Sequence, residues 1–326
     1  MKKKLSVKTI ILIAVLILIS EFIISLFLGK YPLTLANLLA RDEQSMRVFM
    51  TLRLPRTCMA VVGGFALGVA GMVYQIVFRN QLASPDIIGV SSGASAGAAF
   101  AILFLPGASF FVTTSAFVGS LMALVIALGL ASLAKTKNNA SIVLAGIAVH
   151  SLAQTLLMVL KLTADPEKEL ASIEYWIMGS LNAITLQKIP MAVILSIVCM
   201  IGLFMLYRHI VMLSADEDEA EMLGVNVAKM RLVILLFATL IVAAVVSVTG
   251  LISFIGLLAP HIARLITKDN RISTMLLSGL TGGMLLCLAD MLARSVAASE
   301  LPVSVFTSLL GAPFLIYLLM RKGADE

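Results

Sequence analysis

The residues of this chain that could do chemistry are charges set inside or beside apolar runs. Glu21 and Asp290 each interrupt a long hydrophobic stretch. A carboxylate in such a place is a functional-site candidate, either as a proton relay or as half of a structural ion pair, because an unpaired charge in lipid is costly. Arg294 follows Asp290 at i,i+4 on the same helix face, which favours the ion pair. Glu21 has no such neighbour, and its role stays open.

The usual signatures of catalysis and metal binding are not evident. The sequence has no Gly-x-x-x-x-Gly-Lys-Ser/Thr phosphate loop and no His-Glu-x-x-His zinc motif. His150, His209 and His261 lack a second ligand at metal spacing, so we interpret them as packed or hydrogen-bonded side chains. The three cysteines lie in apolar runs and match no disulfide or zinc pattern. We therefore expect no enzymatic activity, cofactor or metal in this chain.

The composition indicates what kind of element positions the charged residues. Of the 326 residues, 60% are hydrophobic and 13% are charged, and the mean hydropathy is +1.05. These values exceed those of globular domains and predict a polytopic membrane protein. The net charge of +6 comes from lysines and arginines dispersed at segment ends without interleaved aromatic residues, so nucleic acid is not an expected partner.

The hydropathy pattern predicts one all-α transmembrane domain over residues 1–326, with about ten spans and both ends in the cytoplasm. The orientation follows from the lysines before the first span and from basic residues between later spans. One short span is interrupted by Gly and Pro, which membranes tolerate only where protein or water surrounds the backbone. The predicted spans are 9–28, 57–78, 88–105, 113–134, 140–162, 189–210, 230–249, 250–264, 272–293 and 303–320.

A charged segment at about 214–227 lies between two spans on the predicted cytoplasmic side. Ser214 and Glu217 have the spacing of a capping box, and Gly224 is placed to end the helix. This helix is too short and too charged to cross a bilayer. It has the form of an element that inserts into a groove on a soluble partner, with a solvated connector as the alternative. The residues assigned to the contact are Ser214, Glu217, Glu219, Ala220, Leu223 and Gly224.

Small residues dominate the start of the span 88–105. They permit close approach of a neighbouring helix, and their lack of bulk equally suits the gate or wall of a translocation path. Both interpretations are kept. The residues concerned are Ser91, Ser92, Gly93 and Gly97.

Six motifs occur in the order found in permease subunits of type II ABC importers (FecCD-type) for iron–siderophore, haem and vitamin B12, and the chain resembles that family from about residue 50 to residue 320. Two positions depart from the family pattern, because Gln81 replaces a usual Pro and Ser304 a usual Gly. The motifs are Arg53-Leu54-Pro55-Arg56, residues 80–85 with 89–94, Trp176-x-x-Gly179-Ser180, Leu223-Gly224-Val225, residues 254–264, and Glu300-Leu301-Pro302-Val303 with Gly311-Ala312-Pro313.

The resemblance implies a multi-pass permease in the cytoplasmic membrane of a prokaryote. Its implied partners are a second copy or a similar subunit, two cytoplasmic ATPase subunits that bind ATP and Mg, and an extracytoplasmic binding protein. The segment 214–227 matches the family's coupling helix, which contacts the ATPase. Arg53, Arg56 and Arg294 stand at outer span ends, against the positive-inside bias, and match positions that pair with acidic residues of the binding protein. Anchoring at lipid head groups or pairing with Asp290 is the alternative.

The expected cargo is an iron chelate of the siderophore type, because that is the commonest cargo of the family, and haem and vitamin B12 are alternatives. A different class remains open at this point. An ion-coupled secondary transporter would use Glu21 or Asp290 and would show inverted repeats with broken helices. The interrupted segment 250–264 partly fits that class.

Overall fold

The computed structural model of the chain describes residues 6–105, 109–134, 139–186, 189–214, 226–297 and 299–322. Within these ranges the regular structure is helical, and no strand is present. Six helices are long and apolar enough to cross a membrane, and four shorter apolar helices accompany them. The all-α fold and the approximate number of spans predicted from the sequence are therefore confirmed.

The helices are numbered in chain order. The apolar ones are α1 (Val7–Phe27), α4 (Leu54–Val77), α5 (Val90–Phe104), α6 (Ser109–Ser132), α7 (Asn139–Thr163), α9 (Ile189–Met205), α11 (Val227–Thr249), α12 (Ile255–Thr267), α13 (Ile272–Ser295) and α14 (Val303–Lys322). Short helices between them are α2 (Leu35–Leu39), α3 (Glu43–Val48), α8 (Glu169–Ile177) and α10 (Tyr207–Met212). A π-helical segment (Phe49–Arg53) leads from α3 into α4, and a 3₁₀ turn (Pro85–Ile88) precedes α5.

Helices α2 and α3 lie in a polar stretch that the hydropathy pattern left without structure. Each begins at a residue whose side chain accepts a hydrogen bond from the backbone three positions on. Thr34 accepts from the Asn37 N–H at 3.2 Å, and Asp42 accepts from the Ser45 N–H at 2.9 Å. These N-caps satisfy backbone donors that the short helices would otherwise leave free. Capping, rather than hydrophobicity, was the signal for both helices.

The core lies among α4, α11 and α13. In their most apolar windows, 83% of the residues in the α3–α4 unit and 67% of those in α11 and in α13 are buried, against 17% in α1 and 22% in α7. Helix α1 is therefore peripheral, as the sequence analysis expected. Helix α7 is exposed along most of its length in the single chain.

Glycine allows the closest crossing in the core, that of α4 with α13. A Cβ at Gly64 would overlap the backbone of Gly282, and one at Gly68 would overlap the carbonyl of Ser278. The Ser278 hydroxyl donates to the Gly68 carbonyl at 2.8 Å across the contact. The small residues of this span serve the close packing that was predicted for them.

Candidate functional site

A cluster of ion pairs joins the start of α4 to the end of α13, on the predicted outer side. Arg56 lies in the first turn of α4, and its Nε donates to Asp290 Oδ1 at 2.7 Å. Its Nη1 donates to Glu300 Oε2, also at 2.7 Å. The Asp290 side chain is fully buried, whereas 27% of the Glu300 side chain is exposed. One arginine thus holds a buried carboxylate on its inner side and a partly exposed one on its outer side.

Arg294 extends the cluster towards α1. Its Nε lies 3.4 Å from Asp290 Oδ2, and its Nη2 donates to the hydroxyl of Ser25. Ser25 in turn shares a hydrogen bond of 2.9 Å with Thr57. The Asp290–Arg294 pair predicted from the i,i+4 spacing is therefore present. The closer partner of Asp290 is Arg56, which is remote in sequence, and the sequence analysis missed that pairing.

Arg53 completes the arginine set by a different kind of contact. Its guanidinium donates to the backbone carbonyls of Leu28 and Tyr31, at the end of α1. The guanidinium covers Gly29, where any Cβ would overlap it. Gly29 also has φ of +146°, which side chains rarely adopt. The glycine thus makes room for Arg53 and holds the turn that carries its acceptors.

The three predicted arginines line one pocket of about 200 Å³ together with Lys30 and Glu300. Three arginines against the carboxylates of Asp290 and Glu300 leave one excess positive charge in the cluster. Arg53, Arg56 and Arg294 are nevertheless only 8%, 7% and 2% exposed. Local pairing, the alternative kept in the sequence analysis, is present for Arg56 and Arg294. Recognition of a partner by the same cluster stays a prediction.

Three of the motifs meet beside this pocket. Gly179 has φ of +65°, and a Cβ there would overlap the Leu251 carbonyl. The Ser180 N–H donates to the Thr249 carbonyl at 2.7 Å, and the Val303 N–H donates to the Gly179 carbonyl at 3.0 Å. Ser304, where the family usually has Gly, uses its hydroxyl to bond the same Leu251 carbonyl at 2.6 Å. The motifs therefore form one interlocked structure that fixes the ends of α8, α11 and α14.

The small residues at the start of α5 face α6. A Cβ at Gly93 would overlap the Gly119 carbonyl and lie 2.7 Å from the Ala123 Cβ, and one at Gly97 would overlap the Ser115 carbonyl. Ser92 is 2% exposed. Close helix approach, one of the two interpretations, is what these positions provide. An apolar groove of about 490 Å³ opens beside them between α5, α6 and α7. Their role at a gate stays a prediction.

Residues 89–93 also have the Gly-x-Ser-x-Gly spacing that presents a nucleophilic serine in hydrolases. That chemistry needs a sharp turn from a strand into a helix. Here a 3₁₀ turn precedes the helix, and the part of the chain that the structure describes contains no strand. The spacing therefore does not form a nucleophile elbow.

The predicted coupling segment is only partly visible. Ser214 is described, and its hydroxyl donates to the Val211 carbonyl at 2.6 Å. The Arg79 Nε donates to the Leu213 carbonyl at 3.3 Å, which ties the end of α4 to the start of the segment. The remaining residues assigned to the contact, Glu217, Glu219, Ala220, Leu223 and Gly224, lie outside the described residues.

Two residues singled out in the sequence have contrasting surroundings. Glu21 Oε2 is buried without a hydrogen-bond partner among the described residues. Its backbone carbonyl faces the Cys287 thiol at 3.9 Å. His261 packs edge-on against Phe314, with 5.8 Å between ring centroids. The histidine is a packed side chain, as interpreted from the sequence, and Glu21 has no function that these contacts reveal.

A polar stripe on α7 was missed in the sequence analysis. Ala148, Ser151 and Thr155 are exposed and follow each other at i,i+3 and i,i+4 on one face. Both hydroxyls donate to carbonyls of the preceding turn, at 2.9 Å each. Small and hydroxylated residues at helical spacing were the available signal. Lipid does not favour such a face over an apolar one, so it marks a surface for protein or for a water-filled path.

Known proteins resemble the chain along nearly its whole length. The FecCD transport family matches residues 15–321. The hemin transport system permease protein HmuU of Yersinia pestis is 38% identical over 291 residues, which cover 86% of this chain and 85% of HmuU. The molybdate import system permease protein MolB of Haemophilus influenzae is 33% identical over 327 residues, which cover 95% of this chain and 96% of MolB.

A solved structure matches the architecture. It is a chain of a transporter described as metal-chelate type, in an inward-facing conformation, and it is 31% identical to this chain. The match covers 97% of this chain and 100% of the other, with a TM-score of 0.87. The helical arrangement described above is therefore that of a type II ABC importer permease.

Proposed function

This chain belongs to the FecCD transport family, and on that premise we propose that it carries an iron chelate across the cytoplasmic membrane of a prokaryote. The membership makes it an ABC importer permease, which sets aside the ion-coupled secondary transporter. The observation that carries the choice of cargo is the match to the metal-chelate type transporter, with a TM-score of 0.87 over 97% of this chain.

The proposed assembly has a second permease copy or a similar subunit, two ATPase subunits and a binding protein. ATP and Mg belong to the ATPase subunits. The segment 214–227 receives the ATPase on the cytoplasmic side, and the outer pocket containing Arg53, Arg56 and Arg294 receives the binding protein. The excess positive charge of that pocket supports the second assignment, because complementary charge steers association and sets orientation.

The path for the chelate runs between the two permease copies in this proposal. Helix α7 supports it, since its exposed stripe of Ala148, Ser151 and Thr155 has no covering helix within the described chain. The groove beside Gly93 and Gly97 lies behind the same helix, which is consistent with a gate that depends on how α5, α6 and α7 pack.

Haem is the second candidate cargo. HmuU is more identical to this chain than MolB is, at 38% against 33%, and is named for hemin transport. Vitamin B12 stays an alternative of the same family. The described residues of the pocket and the stripe do not distinguish among these cargoes.

Co-purification followed by ligand identification tests the proposal. The full chain is tagged and extracted from its host membrane, and the proteins retained with it are identified by mass spectrometry. We expect an ATPase subunit and an extracytoplasmic binding protein. The ligand eluted from that binding protein, analysed by mass spectrometry and elemental analysis, is expected to be an iron chelate. An eluted molybdate or cobalamin would overturn the cargo assignment, and iron held in a porphyrin would favour haem.

A further inference from the structure

Glu300 occupies the position on Arg56 that an external carboxylate would take. Its Oε2 lies 2.7 Å from Arg56 Nη1, on the partly exposed side of the guanidinium, while Asp290 holds Nε from the buried side. The Arg56 side chain is 8% exposed and that of Glu300 is 27% exposed. A carboxylate that approaches Arg56 from solvent therefore meets Glu300 first.

The backbone on both sides of Glu300 is fixed, so the side chain is the part that can yield. The Leu301 N–H donates to the Ala293 carbonyl at 3.0 Å, and the Val303 N–H donates to the Gly179 carbonyl at 3.0 Å. A change of side-chain rotamer would release Arg56 without moving these anchors. Asp290, at 0% exposure and paired with two arginines, has no comparable freedom.

We propose that Glu300 is an internal substitute for the binding protein's carboxylate, and that docking displaces it from Arg56. This inference rests on the proposed docking role of the arginine pocket. In the free permease, Glu300 neutralises Arg56 and avoids an unpaired charge that is largely buried, which would otherwise be costly. On docking, the partner's carboxylate takes over the Arg56 contact and Glu300 turns towards solvent. The exchange makes association reversible, because breaking the new contact is compensated by restoring the old one.

Removal of the Glu300 charge should therefore strengthen docking. Glu300→Gln abolishes the like-charge repulsion and leaves Arg56 Nη1 with a weaker neutral acceptor, since hydrogen bonds to ionised groups are the stronger ones. We expect the affinity for the binding protein that co-purifies with the wild-type permease to rise about fivefold at low ionic strength. At about 1 M salt the repulsion is screened within about 3 Å, and the difference should fall below about twofold.

The experiment titrates that binding protein against wild-type, Glu300→Gln and Arg53→Gln complexes in nanodiscs, at low and high salt. Tighter binding by Glu300→Gln and weaker binding by Arg53→Gln supports the proposal. Unchanged or weaker binding by Glu300→Gln, with a loss for Arg53→Gln, means that Glu300 only positions Arg56, so the substitute role is wrong while docking stands. No effect of either variant rejects docking at this pocket and the inference with it.

A second measurement does not depend on the partner or on one variant. Phenylglyoxal modifies accessible guanidinium groups, and mass spectrometry reports the rate at Arg56. Glu300→Gln should raise that rate, and Glu300→Asp, with a shorter carboxylate, should give an intermediate rate. Thermal unfolding of each variant establishes that the permease is folded. Equal rates in all three folded proteins would show that Glu300 does not cover Arg56.

Discussion

Arg56 and Asp290, 234 positions apart in the sequence, share a hydrogen bond of 2.7 Å between Nε and Oδ1. This contact ties the start of α4 to the end of α13, the same two helices that cross through Gly64 and Gly282. A glycine crossing and a buried ion pair thus hold the same helix pair at two depths. The outer pocket is built on this rigid pair, which fixes where its arginines point.

Asp290→Asn should destabilise the permease strongly. The substitution removes the negative charge between Arg56 and Arg294, so two largely buried guanidinium groups lose their common partner. Breaking a buried pair in this way costs about 3–5 kcal/mol. We expect a clear fall in the thermal unfolding temperature of the purified complex in nanodiscs.

Glu43→Gln is the matched control for that variant. Glu43 pairs with Arg47 at 3.7 Å, but the side chains are 93% and 76% exposed, and exposed pairs contribute little. Its unfolding temperature should stay near that of the wild type. A similar small effect for Asp290→Asn would mean that solvent reaches the cluster and that its ion pairs do not stabilise the fold.

The sequence was informative about the fold where the signal is local. Span boundaries follow from runs of apolar residues, and the observed helices begin and end within a few residues of them, as for α13 at Ile272–Ser295 against the predicted 272–293. The Asp290–Arg294 pair was predictable for the same reason, since i,i+4 is a property of one helix.

The pairing of Arg56 with Asp290 and Glu300 could not be found that way. It depends on how α4 and α13 cross and on where the chain turns after α13, and no spacing within one helix encodes either. The sequence analysis therefore placed the arginines at the correct helix ends but expected exposed guanidinium groups. Burial against acids from other elements is a tertiary property.

Gly93→Leu should impair assembly or transport by overpacking. The added side chain would collide with the Gly119 backbone and with Ala123, and inserting bulk into a packed contact typically costs about 1–3 kcal/mol. Gly129→Leu is the control, because a Cβ at Gly129 meets nothing within 4 Å. Uptake should fall for the first variant and persist for the second. Normal uptake by Gly93→Leu at normal protein level would show that neither packing nor a gate depends on this position.

Gly224→Val should uncouple ATP hydrolysis from transport. The position lies outside the described residues, and the prediction rests on its placement as the glycine that ends the coupling helix. A β-branched residue penalises the positive φ that such a position commonly adopts. We expect the reconstituted complex to hydrolyse ATP with reduced uptake per ATP. Wild-type uptake per ATP would contradict the assignment of this segment.

Arg53→Gln is the sharper test of docking at the outer pocket. Arg56→Glu would place a third carboxylate beside Asp290 and Glu300, so loss of binding in that variant would report misfolding. Arg53 instead bonds to the carbonyls of Leu28 and Tyr31 in the described chain, so its replacement leaves no acid unpaired.

The expected result for Arg53→Gln is weaker association with the binding protein, with a larger loss at low salt, because the Debye length falls from about 10 Å at 0.1 M to about 3 Å at 1 M. Arg47→Gln is the matched control, since Arg47 lies six residues earlier with a side chain 76% exposed and does not line the pocket. Both variants lose one positive charge, so a non-specific effect of net charge would weaken both equally. A loss confined to Arg53→Gln locates the interaction in the pocket, and equal losses would reduce these arginines to part of a diffuse basic surface.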